Sequence, residues 1–212
     1  MKISWLGHSC FKIKGKEADL IIDPYSDSIG IKMPRLRADS VLITHDHEDH
    51  NNYQAVTNDP IIIDGPGEYE MKGIFIYGKR AYHDNKKGLE KGAITIYLIE
   101  EDGITLAHLG DFNQDNLTEE QLQFLENVDV LLVPVGGPYS LKSDSAVKII
   151  NEIEPRVIIP MHYQYPGVKI PLEPLDKFIK EIGLNPEIMD DFKAVKENLP
   201  QDDMKLIILN KQ

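Results

Sequence analysis

Cysteine is almost absent from this chain. Cys10 is the only one in 212 residues, which excludes an intrachain disulfide and any metal site built from thiolates. Positive charge is short as well: 23 Lys and Arg stand against 35 Asp and Glu, a formal net charge of −12. A chain with that balance has no general field with which to grip nucleic acid or an anionic membrane. No apolar run is long enough to span a bilayer, and the opening MKISWLGHSCFKIKG lacks the apolar stretch of a secretory signal. A cytoplasmic protein is expected. Repeats, low-complexity tracts and Pro/Ser-rich linkers are missing too, so one domain over residues 1–212 is expected.

What the chain does have is many short apolar runs rich in β-branched residues: Ile3 to Leu6, Cys10 to Ile13, Leu20 to Ile22, Val41 to Thr44, Ile61 to Ile63, Ile74 to Tyr77, Ala93 to Ile99 and Ile104 to Leu106. Gly, Asp, Asn and Pro punctuate them, which predicts strands joined by turns. The second half alternates. LTEEQLQFLENV places Thr118 three residues ahead of Gln121, a capping box before apolar positions at helical spacing. VDVLLVPV reads as a strand, SDSAVKIINEIEP as a helix capped by Ser143 or Asp144, and RVIIPMH as a strand. Helices are expected from about Leu172 to Ile182 and near Phe192 to Glu197, before a closing strand MKLIILN. Sheets in the middle with helices outside, a layered α/β architecture, fit this order.

One stretch is chemically dense. VLITHDHEDHNN carries three histidines and three acids on six consecutive positions, His45 to His50, directly after an apolar run. If the strand direction continues, His45 and His47 point the same way and can face one ion. Asp49 and His50 follow one turn later and, if NNYQAV bends into a helix, face a second. Further candidates stand at expected strand ends, where α/β folds collect ligands: His83 with Asp84 beside it, Asp111 in LAHLGDFN, and His162 in VIIPMHY. His108, three residues before Asp111, is expected to be structural, as is Cys10.

Asp23 in LIIDP, the His-x-His-x-Asp-His string, His83, Asp111 and His162, in that order, resemble the five motifs of the metallo-β-lactamase superfamily. The segments WLGHSCFKI, IIDP, GDFN, VPVGG and VIIPMHY are similar to the branch that contains the ascorbate-6-phosphate lactonase and many single-domain hydrolases. The resemblance implies a four-layer αββα sandwich. It implies a first metal held by His45, His47 and His83, a second held by Asp49, His50 and His162, and Asp111 bridging them. Asp23 would support the site by hydrogen bonding. His8 would sit at the cleft rim within reach of substrate, and Tyr139 near the mouth; Tyr163 is expected to pack.

An all nitrogen and oxygen ligand set suits zinc first, and manganese or iron as well. Two divalent ions close together acidify a shared water, so the expected activity is hydrolysis of a small ester, lactone or phosphodiester by a metal-bound hydroxide that Asp49 orients. The expected partner is a small-molecule substrate, with neither nucleic acid nor membrane, and a homo-oligomer is left open. Two other functions compete: a non-catalytic metal-binding module of the same fold, and a diiron redox protein without its flavin domain. Specificity is assigned to loops near Asp27 to Arg37, Gly65 to Lys72 and Gly136 to Lys142, with Lys86 and Lys87 as cations that could draw an anion.

Overall fold

The computed structural model describes residues Met1–Gln212. Its first sheet is built from β1 (Lys2–Gly7), β2 (Cys10–Lys14), β3 (Asp19–Ile22), β4 (Ser40–Leu42) and β5 (Ile61–Ile63). The second takes β6 (Gly67–Met71), β7 (Ile74–Tyr82), β8 (Ala93–Glu101), β9 (Ile104–His108), β10 (Val130–Pro134) and β11 (Val157–Met161), then β12 (Pro186–Met189) and β14 (Lys205–Leu209). Between those last two, β13 (Asp191–Lys193) crosses back to the free edge of β1. The orders are β13-β1-β2-β3-β4-β5 and β12-β14-β11-β10-β9-β8-β7-β6. In the first sheet β1, β3, β4 and β5 run one way. In the second β7, β9, β10 and β11 do the same.

Alternation along the first sheet's strands explains both of its faces. Ile3, Trp5, Phe11, Ile13, Leu20, Ile22 and Leu42 point inward and share one core with the second sheet. Leu6, Cys10, Ile21 and Val41 point outward, into a separate cluster with Tyr25, Ile29, Met33 and Val56. Tyr97 fixes the distance between sheets, its buried hydroxyl donating to Ile43 O and Ile63 O at 2.9 and 3.1 Å.

The three α-helices follow β9. In α1 (Glu119–Phe124) the Thr118 and Gln121 capping box is formed as the spacing predicts. In α2 (Ser143–Ile153), Ala146, Ile149, Ile150 and Ile153 bury one stripe at helical spacing, and α3 (Leu175–Ile182) packs against α2 and buries Phe178. The layered sandwich is therefore present, with one layer thinner than expected. The outer face of the first sheet carries no α-helix; residues 25–38 and 53–56 cover it with two 3₁₀ turns, Asp27–Ile29 and Tyr53–Ala55. NNYQAV thus makes one 3₁₀ turn where a helix is expected. No helix is long and apolar enough to cross a membrane.

Three local expectations fail for identifiable reasons. The cap of α2 is Lys142, without a side-chain bond, because Ser143 is already helical and its buried hydroxyl turns to Val135 O at 3.4 Å. Leu172 to Pro174 stay extended, since Pro174 sets the cap of α3. Around Phe192 the chain is a strand, with only the 3₁₀ turn Lys196–Asn198 after it. The open edge of β1 decides this: Phe192 pairs opposite Ile3, and long-range pairing overrides a weak local pattern.

Candidate metal centre

Eight of the expected site residues come from loops that begin where co-directional strands stop. Asp23 follows β3, the His45 to His50 string follows β4, His83 follows β7, Asp111 follows β9 and His162 follows β11. His8 follows β1 in the same way. The strand ends of both sheets thus open on one edge of the sandwich, where short loops bring distant residues together. Two glycines allow the loops to close. A Cβ on Gly110 would lie 2.8 Å from Thr44 Cβ, and one on Gly136 would lie 2.1 Å from His162 O, so neither position admits a side chain without moving the site.

The dense string does not continue as a strand. β4 ends at Leu42 and the chain bends through Thr44 to Asp46, so strand alternation is not what aligns His45 and His47. They converge all the same, with ring centroids 4.5 Å apart and His83 at 4.9 and 5.1 Å from them. Asp46 turns outward to Asn51. A second group gathers Asp49, His50 and His162 and adds His8. Asp111 lies between the groups: its Oδ1 is 3.3 Å from both His50 Nε2 and His162 Nε2, and its Oδ2 is 3.4 Å from His83 Nε2.

Hydrogen bonding fixes how these rings face. Asp23 accepts from the Thr44 amide at 2.8 Å, the Thr44 hydroxyl at 2.7 Å and His50 Nδ1 at 2.8 Å. With its proton committed to Asp23, the Thr44 hydroxyl accepts from His45 Nδ1 at 2.9 Å. His162 Nδ1 lies 3.2 Å from Ser140 Oγ. Three histidines therefore have Nδ1 held from behind, while Nε2 of His45, His50 and His162 is buried with no hydrogen-bond partner. Leaving several polar nitrogens buried and unpaired is costly, and the same arrangement is how proteins orient histidines toward a metal. The donor set fits one or more divalent ions.

Charge in the metal-free site is uneven. Burial alone would push His50 down, but Asp111, Asp23 and Asp49 around it hold its pKa well above the ordinary value. Burial and the neighbouring His50 push His45 down to about 3. His83 falls to about 4 through burial, which outweighs the attraction of Asp111. Asp111 is driven well below the usual carboxylate range: burial opposes this, and His162 and His50 overcome it.

The open side is a cleft of about 560 Å³ lined by His47, Asp49, His83, Asp111, Tyr139, Lys91 and the segment Lys169 to Pro171, among others. Tyr139 stands at the mouth, 40% exposed. Tyr163 is buried and packs on Trp5, with centroids 5.2 Å apart. His8 is not at the rim: it is fully buried, on the far side of Asp49 from the cleft. His108 is structural, its Nε2 2.9 Å from Ser9 O and its Nδ1 accepting from the Gly110 amide. Lys86 is spent on Glu90. Lys91 and Lys169 are the cations that reach the cleft, and neither carries a motif that marks it in the sequence. Asp84 explains the placement of Lys91. Its carboxylate accepts from the amides of Lys86, Gly88, Glu90 and Lys91 at 2.8 to 3.0 Å, folding the loop after His83 so that Lys91 faces inward.

Comparison with known proteins places these residues in a family context. A family model described as the beta-lactamase superfamily domain matches residues 2–162. A UPF0173 protein of Pyrococcus abyssi is 34% identical over 77% of this chain and 83% of its own length. A UPF0173 metal-dependent hydrolase of Archaeoglobus fulgidus is 31% identical, over 89% and 95%. A crystal structure from Thermotoga maritima, provisionally assigned as a Zn-dependent hydrolase of the metallo-β-lactamase superfamily, superposes with a TM-score of 0.80. It is 30% identical and covers 98% of this chain and 97% of its own.

Proposed function

The chain belongs to the metallo-β-lactamase superfamily and, within it, to the UPF0173 metal-dependent hydrolases, and from that premise we propose that it hydrolyses a small ester, lactone or phosphodiester with two divalent ions. The observation that carries the two-ion reading is the set of inward-facing ring nitrogens without partners, grouped on either side of Asp111. His45, His47 and His83 would hold one ion, Asp49, His50 and His162 the other, and Asp111 would touch both. Zinc is the first choice for such a set.

When bound, two such ions acidify a shared water and polarise the bond to be cleaved. The chain's own residues do the rest. Asp49, the one member of the second group that opens on the cleft, is placed to hold a proton from the attacking water. Tyr139 and the segment Lys169 to Pro171 narrow the mouth and orient the substrate. Tyr25, Ile29 and Met33 pack the 3₁₀ turn Asp27–Ile29, which lies beside that segment, the Lys169 amide donating to Ile29 O at 2.8 Å. The narrower likeness of WLGHSCFKI, GDFN and VIIPMHY to the ascorbate-6-phosphate lactonase branch makes lactones the first substrates to test. A net charge of −12 disfavours nucleic acid as substrate, so the reading is of a small molecule met in the cytoplasm.

The test is metal per chain by elemental analysis of protein purified without chelator, for the parent and His50→Ala, alongside turnover on esters, lactones and phosphodiesters. Two ions in the parent, fewer in the variant, and turnover lost with them are expected. A parent that holds no metal after reconstitution would overturn the mechanism.

A further inference from the structure

His8 is held more firmly than a residue at a strand end needs to be. Its carbonyl accepts from Trp5 Nε1 at 2.9 Å and from the His162 amide at 3.2 Å, and its own amide donates to Tyr165 Oη at 3.1 Å. Its backbone is left-handed, with φ of 55°, a conformation that is costly for a non-glycine residue. The ring it fixes lies 4.2 Å from the His162 ring and 5.3 Å from the His50 ring, centroid to centroid. By position it could be a further metal ligand.

The hydrogen-bond pattern says otherwise. In His45, His50 and His162, Nδ1 is held and Nε2 is free; in His8, Nε2 meets Asp49 Oδ2 at 3.1 Å with hydrogen-bond geometry, and Nδ1 is the buried nitrogen without a partner. A carboxylate only accepts, so the proton of that contact sits on His8 Nε2. A nitrogen that carries its proton to an acid has no lone pair for an ion. An apolar residue would fill this buried place without an unpaired nitrogen, so packing does not account for a histidine.

We propose that His8 is a positioning residue for the second ion: its Nε2–H fixes the rotation of the Asp49 carboxylate, so that the remaining lone pairs face His50 and His162. This rests on the two-ion reading above. Supporting partners of ligands typically change metal affinity or activity by about 10 to 100-fold when removed. The effect should fall on one ion only, because the side-chain hydrogen bond of His8 goes to Asp49 and none goes to His45, His47 or His83.

The experiment titrates Zn²⁺ against a chromophoric chelator for the parent, His8→Leu and His8→Gln, resolving the two affinities, with thermal unfolding of the metal-free forms as a check on folding. The amide nitrogen of glutamine falls near the place of Nε2 and donates as it does. The expected result is one unchanged affinity in all three proteins, a second affinity weakened about 10 to 100-fold in His8→Leu, and its recovery to within a few-fold in His8→Gln. Two unchanged affinities in His8→Leu would overturn the proposal. So would failure of His8→Gln to recover a second affinity lost in His8→Leu, because His8 would then act as a ligand. A parent that binds fewer than two ions would instead overturn the two-ion reading, and the two failures are told apart.

Discussion

His162 and His47 stand in the same site and are held in opposite ways. His162 is buried, on a left-handed backbone, with Nδ1 against Ser140 and its amide bonded to His8 O. The ring of His47 is exposed at the cleft, and no protein hydrogen bond fixes it. Their neighbours follow suit. The group of Asp49, His50 and His162 is the deeper half and is oriented from behind; in the more open half only His47 is exposed, His45 and His83 being buried, and only His45 has a supporting bond. The difference teaches that the two halves solve separate problems. The deep half is fixed by hydrogen bonds around a His50 whose neighbouring carboxylates favour its proton, while in the open half burial favours the neutral rings of His45 and His83.

Asp23 is where the comparison can be broken most severely. It accepts from His50 Nδ1 directly and reaches His45 only through the Thr44 hydroxyl. In Asp23→Asn the new amide donates to His50 Nδ1, which forces the proton onto Nε2, the nitrogen that faces inward. Affinity for the deep ion should fall about 10 to 100-fold. The open ion should lose less than about tenfold, since a hydroxyl can rotate. Thr44→Val is the reciprocal change: His45 Nδ1 loses its acceptor while His50 keeps Asp23, so the open ion should weaken more than the deep one. Resolved metal titrations of the two variants check this. Equal losses at both ions in both variants would mean that the halves are one unit.

Proton release sharpens the same contrast with a smaller effect. His50 has a folded pKa raised well above its ordinary value by Asp111, Asp23 and Asp49, against burial, so in metal-free protein at pH 7 it is protonated. Binding the deep ion must expel that proton. His45, lowered to about 3 by burial and His50, and His83, lowered to about 4 chiefly by burial, are neutral already. As pH falls from 8 to 6, affinity for the deep ion should drop about tenfold per unit, more steeply than affinity for the open ion. Calorimetry in buffers of different ionisation enthalpy should count more protons released by the deep ion than by the open one.

Much of this was legible in the sequence, and the parts that were not share a cause. The strands could be placed because each carries its own apolar run, and the ligand loops because a strand end followed by His or Asp is a local signal. Thr118 and Gln121 announced their helix by a contact between near neighbours. Phe192 misled because its partner, Ile3, lies at the other end of the chain. His8 was visible as a histidine after a strand, but its burial depends on Trp5, His162 and Tyr165 closing over it. His45 and His47 were paired on strand geometry that the chain does not adopt there; they converge through a bend that Asp23 holds. The cleft cations were missed for a similar reason. Lys86 and Lys87 look as basic as Lys91, and only the four amides gathered on Asp84 decide which lysine turns inward.

Lys91 carries the smallest effect and the one that concerns substrate. Its ammonium donates to Tyr139 O at 3.1 Å and lies 5.3 Å over the Tyr139 ring, and no carboxylate forms an ion pair with it. In a chain with 35 acids and 23 bases, an unneutralised lysine beside a metal cleft favours a substrate with a negative group away from the bond that is cut. Exposure limits how much one such contact contributes, roughly 0.2 to 1 kcal/mol or up to about fivefold. Lys91→Met should therefore raise KM for an anion-bearing ester or lactone about two- to fivefold, leave its kcat unchanged, and leave KM for the neutral analogue where it was. Affinity for the deep ion should be unaffected, since Lys91 bonds to none of the ligands and its charge bears on His83. The measurement is paired kinetics on one charged and one neutral substrate. Equal KM changes on the two would assign Lys91 to the shape of the mouth, through Tyr139, and leave the open half of the site without a charge preference of its own.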